Sequence, residues 1–100
     1  MSAISLSDAF ERSDRMVGRR VADEYILVPI VGHGAELDGI YNLSRVGAFI
    51  WELLDGRLRG DEVVDAVVAH FEVDRQTAAA DYAAFLAKLV AIRAVSAPGR

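Results

Sequence analysis

Two histidines, His33 and His70, are the first places to look for catalysis or metal ligation in this chain, which contains no cysteine. His33 stands between Gly32 and Gly34 in an expected hairpin turn, and His70 falls at the end of an expected helix. Neither has a second ligand at i+4, so solvated histidines describe them better than metal ligands. The missing cysteines remove disulfide scaffolds, thiolate zinc sites, iron–sulfur ligation and thiol nucleophiles together. Gly32-His33-Gly34 lacks the third glycine and the Lys-Ser/Thr of a phosphate loop, and a strand rather than a helix is expected after it. Asp61, Glu62 and Asp65 have the spacing of acidic residues at a helix N-terminus, where the dipole favours them, rather than that of a divalent-ion loop. No serine lies in a G-x-S-x-G context. Arg12, Arg15, Arg19 and Arg20 form a basic cluster, but Glu11, Asp14, Asp23 and Glu24 interrupt it and make it a mixed, solvated surface. Trp51 reads as a tryptophan sealing one edge of a core. These residues assemble no catalytic constellation, and the expectation is a protein that is not an enzyme and holds neither metal nor cofactor.

Composition narrows the classes further. One hundred residues form one domain with one small core. The hydrophobic share of 53% is inflated by sixteen alanines, so Val, Ile, Leu and the aromatic residues must build that core. A net charge of −4 argues against a partner held through its phosphates, because such binding draws on clustered Lys and Arg. No apolar run approaches the roughly 20 residues of a membrane helix, and the N-terminus lacks the basic start and apolar stretch of a secretory signal. A cytoplasmic protein without membrane or nucleic-acid partners is the expectation.

The elements that must position any site divide into two halves. Residues 1–16 read as a flexible arm. Val17–Ala22, Tyr25–Val31 and Glu36–Leu43 read as a three-stranded antiparallel meander rich in β-branched residues. Pro29 cannot donate to a ladder, so its strand must bulge, end there, or lack a neighbour on that side. Tyr25–Val31 is apolar at both parities, which predicts cover on both faces, one from helices and the other from the arm or a second chain. Ser44 is a plausible N-cap for a helix over 45–54, closed by Asp55-Gly56. Asp61 and Glu62 open a second helix that ends near Phe71, with Val63, Val64, Val67 and Phe71 as its buried stripe. Asp74 caps a third and longest helix, in which Ala78, Tyr82, Phe85, Leu86, Leu89 and Ile92 recur at helical period. Residues 96–100 read as a frayed tail. Strands followed by three helices define an α+β, winged-helix-like domain over 17–95.

The runs Ile40-Tyr-Asn-Leu43, Gly47-Ala-Phe-Ile-Trp-Glu-Leu-Leu-Asp-Gly56 and Phe71-Glu-Val-Asp74, with Asp81 and Phe85-Leu-x-x-Leu89, resemble the PqqD family. That family takes its name from a component of pyrroloquinoline quinone biosynthesis. The resemblance spans about Val17 to Val95. It implies a peptide chaperone that binds the leader of a ribosomally made precursor peptide and presents it to a maturation enzyme, often a radical SAM protein. In the family the leader adds as a strand beside the third strand of the meander and lies in the groove facing the third helix. By position this implicates Asp38, Gly39, Ile40, Tyr41, Asn42 and Leu43 as the receiving edge. Asp81, Tyr82, Phe85 and Lys88 become the opposite wall. The chain departs from the family at Arg93, where members commonly end the third helix with glycine. Two rivals remain from the residues alone: a winged-helix DNA-binding module, disfavoured by the charge, and a structural subunit forming a homodimer through Tyr25–Val31.

Overall fold

A computed structural model describes residues 4–30 and 40–96. The sequence-predicted turn around His33, the end of the second expected strand at Val31 and the start of the third through Gly39 lie outside the described residues. The elements run β1 (Ala9–Arg12), β2 (Met16–Val21), β3 (Glu24–Pro29), β4 (Tyr41–Leu43), α1 (Arg45–Leu53), β5 (Asp55–Arg59), α2 (Gly60–Phe71), α3 (Arg75–Ala91) and β6 (Val95–Ser96). The architecture is α+β, as expected, with the meander β2–β3–β4 leading into three helices.

The meander is antiparallel throughout. Val21 opposes Glu24 across a two-residue turn in which Ala22 takes a left-handed φ of 56°, and Tyr25 opposes Leu43 on the other side of β3. β3 ends at Pro29, one of the three outcomes its missing donor permits. The inward parity of β3 carries Tyr25 and Leu27 into the core, with Gly18 of β2 beneath them. A Cβ on Gly18 would lie 2.5 Å from the Tyr25 hydroxyl and 2.6 Å from Trp51 Nε1, so only glycine admits this close approach. The outward parity is not covered on both sides as expected: Val17, Val21, Ile30 and Ile40 are exposed. The N-terminal segment that could have shielded this face is committed to a second sheet.

That second sheet, in the order β5–β1–β6, is the main departure from the expected fold. Residues 9–12 are a central strand and not part of a flexible arm, and Ser96 belongs to a strand and not to a frayed tail. The physical reason is a set of backbone partners that only the folded chain supplies. The first amides of α2 have no intrahelical acceptor. Gly60 N–H donates to Asp8 O at 3.0 Å and Asp61 N–H to Leu6 O at 2.9 Å. Arg12 Nη1 donates to Trp51 O and Glu52 O at 3.1 and 3.0 Å, placing a cation on the C-terminal carbonyls of α1. β5, with one apolar side chain at Leu58 among charges, gives hardly any periodic signal.

The helices begin where their caps direct. Ser44 Oγ accepts from Gly47 N–H, Glu62 Oε1 accepts from Arg59 N–H ahead of α2, and Asp74 accepts from Thr77 N–H and its hydroxyl. Those bonds hold the Asp74 carboxyl below its ordinary pKa. Ile50, Leu54, Val63, Val64, Val67, Ala78, Tyr82, Leu86 and Leu89 form the common core with Trp51 at its edge. Phe71, expected in that stripe, is only half-buried.

Candidate functional site

β4 is three residues long and lies at one edge of the β2–β3–β4 sheet. Which of its backbone groups face outward follows from ladder alternation. Ile30 N–H donates to Arg15 O at 2.9 Å, continuing the β2–β3 ladder one step beyond Met16↔Pro29. Val28, Ile26 and Glu24 therefore bond toward β2, and Leu27 and Tyr25 toward β4. On β4 the partners of Leu27 and Tyr25 are Tyr41 and Leu43. The N–H and C=O of Asn42, and of Ile40 before it, consequently point away from the sheet. Side chains follow the same alternation: Tyr41 and Leu43 turn to the core side and are half-buried, whereas Asn42 is exposed. Asn42 makes no side-chain hydrogen bond among the described residues, and the strand-to-helix turn is held by Ser44, whose Oγ accepts from Gly47 N–H.

Beyond this strand, the start of α1 and the middle of α3 enclose a groove of about 320 Å³ lined by Ser44, Val46, Gly47, Ile50, Asp81, Ala84, Phe85 and Lys88. α3 presents two adjacent stripes. Ala78, Tyr82, Leu86 and Leu89 point into the core, and Asp81, Ala84, Phe85 and Lys88 point into the groove. Tyr82 is therefore misplaced in the expected wall. It is 1% exposed and packs on Gly60, and burial with the carboxylates Asp8 and Asp61 pushes its hydroxyl up to about 12. Asp81, Phe85 and Lys88 do share the groove, while Asp38 and Gly39 lie outside the described residues. Sequence reasoning left Ser44, Val46, Gly47, Ile50 and Ala84 out of the site, although the spacing of Asp81, Ala84 and Lys88 marks them as one stripe of α3. A helical wheel of α3 anchored on Ala78 and Leu86 would have separated Tyr82 from Ala84, but the facing positions on α1 depend on helix–helix packing.

The remaining chemistry-bearing residues are occupied locally. His70 stacks on Phe49 with ring centroids 4.5 Å apart and meets Phe71 edge-on. Asp61 pairs with Arg59, and Asp65 pairs with Arg75. Tyr25 donates to Glu52 Oε2 at 3.0 Å, and burial together with that carboxylate raises its pKa. Among the described residues no three acidic or histidine side chains converge on a metal position, and no helix is long and apolar enough to cross a membrane.

An open strand edge that runs into Ser44, on the wall of an apolar groove with charged ends, belongs to a winged-helix-like domain. Residues 24–95 match the family model described as coenzyme PQQ synthesis protein D (PqqD). The chain belongs to that family. It is also similar to the solved structure of TbiB1 in complex with the TbiA(beta) leader peptide, with 32% identity, a TM-score of 0.69, and coverage of 90% of this chain and 96% of that one. A comparison with curated protein sequences finds no match.

Proposed function

We propose that this protein binds the leader segment of a ribosomally made precursor peptide as a strand added to β4 and holds it for a maturation enzyme of the radical SAM or another class. In this reading it is a cytoplasmic peptide chaperone that performs no chemistry itself. The observation that carries the proposal is that the strand with outward-facing backbone groups at Ile40 and Asn42 leads directly into Ser44, which lines the apolar groove between α1 and α3. The similar protein TbiB1 forms a complex with a leader peptide, which supports the same class of ligand here.

The energetics suit a carrier. Ile40 and Asn42 provide up to about four backbone hydrogen bonds, each worth about 0.5–1.5 kcal/mol net and partly offset by ordering the guest. Side chains burying about 150–200 Å² in the groove add about 4–5 kcal/mol at about 25 cal/mol/Å². The sum corresponds to roughly micromolar affinity, tight enough to raise the enzyme's local substrate concentration and weak enough to release it.

Titration with the TbiA(beta) leader peptide, followed by amide hydrogen exchange on the complex, tests the reading. Saturable binding that protects the Ile40 and Asn42 amides is the expected result. Binding that protects only amides elsewhere, or tight salt-sensitive duplex DNA binding without peptide binding, would overturn it.

A second reading rests on the exposed outer face of the meander. Val17, Val21, Ile30 and Ile40 make an apolar strip there, and a homodimer would cover it. Sedimentation at several concentrations decides between monomer and dimer.

A further inference from the structure

The groove is apolar along its floor but charged at both ends of its α3 wall. Asp81 and Lys88 are exposed, and neither is in an ion pair among the described residues. They are seven residues apart on one helical stripe, about 10.5 Å along the axis, with Ala84 and Phe85 between them. An extended chain repeats on one face every two residues, about 6.8 Å, so an apolar side chain seated against Phe85 has same-face neighbours about 13.6 Å apart. The flexible stem of Lys88 spans the difference.

Resting on the strand-addition reading, we infer that Asp81 and Lys88 select the guest by charge order: a basic side chain and an acidic side chain four residues apart, flanking a central apolar residue on the groove-facing side. The two charges are fixed on a rigid helix and have opposite sign, so a guest laid in the correct direction gains at both ends. A guest with the charges reversed meets like charge at both. Such a device discriminates more than it strengthens, because an exposed ion pair contributes little while two like-charge contacts are penalised. It would also set the direction in which the peptide emerges toward the enzyme.

The test is selection of a phage-displayed library of random twelve-residue peptides on three proteins: wild type, the double variant Asp81→Lys/Lys88→Asp, and Ile40→Pro as a control for edge binding. Both charged positions lie on the solvent side of α3, so the exchange leaves the core intact, and circular dichroism checks it. The expected result is enrichment in the wild type of acid and base at i and i+4 in one order around an apolar residue, and the reverse order with the double variant. Purified peptides of the two orders should differ at least fivefold in Kd and exchange rank between the two proteins. Enriched peptides that depend on Ile40 but show no charge order, or the same order for both proteins, would remove this inference and leave strand addition standing. Failure to enrich any Ile40-dependent peptide would remove both.

Discussion

The β2–β3–β4 sheet has two open edges that differ in length and charge. β2 is six residues long and carries Arg19 and Arg20, the cationic marking by which natural edge strands discourage unwanted pairing. β4 is three residues long, reads Tyr-Asn-Leu without a charge, and follows the apolar Ile40. The cavity of about 530 Å³ beside β2 sets the charged side chains Arg12, Asp14 and Glu52 next to Met16 and Trp51, whereas the floor of the groove between α1 and α3 is apolar. Under the proposed function the same sheet contains a protected edge and a receptive one, distinguished by the charge that surrounds their free amides rather than by having them.

The largest expected effect breaks this contrast directly. By the alternation that turns Ile40 and Asn42 outward on β4, Arg20 presents its backbone outward on β2. Proline at either site removes an outward donor without removing a bond to β3. Ile40→Pro should weaken leader-peptide binding about tenfold or more, whereas Arg20→Pro should leave it within about twofold, as judged by fluorescence polarisation with circular dichroism as the folding control. Equal losses at both edges would end the distinction between them.

A second prediction separates the two faces of α3. Tyr82 titrates near 10.0 when unfolded and is pushed up to about 12 in the fold by burial, with Asp8 and Asp61 adding to the shift. The neutral phenol is the form the fold favours. Its contribution to stability is therefore complete below pH 10 and lost as pH rises toward 12. Urea midpoints should fall over that interval and fall less in Tyr82→Phe, while the variant's affinity for peptide at pH 7 stays unchanged. A Tyr82→Phe variant that folds normally but loses peptide would return Tyr82 to the groove wall.

The smallest effect concerns the end of that helix. Arg93 has a φ of 61°, the left-handed conformation that glycine adopts without a Cβ clash. The resemblance placed a glycine there in other family members. Arg93→Gly should stabilise the protein by about 1 kcal/mol, a rise of several degrees in Tm, without changing affinity. A drop in Tm would show that the arginine side chain compensates for its backbone.

The legibility of the fold tracks how local its causes are. Helices α1 to α3 could be read from Ser44, Asp74 and their apolar periods because a cap and a 3.6-residue stripe are written in consecutive residues. β1, β5 and β6 could not, since their partners lie about 40 to 85 residues away and their side chains are mostly solvated. The site was legible in the same measure. Ile40 to Leu43, Asp81 and Phe85 came from matched motifs and Lys88 from its position on the third helix, whereas Tyr82 was assigned to the wrong stripe because one turn of helix carries residues to both.

The sequence by itself determined the helices, the meander and the acidic balance, because each rests on neighbouring residues or on simple sums. Only the tertiary structure decided that the N-terminal segment serves as the central strand of a second sheet, that Tyr82 belongs to the core, and that the groove-facing stripe of α3 opposes Val46 and Gly47. Those outcomes depend on which unsatisfied amides and apolar stripes meet when distant segments pack, and no local pattern records that meeting.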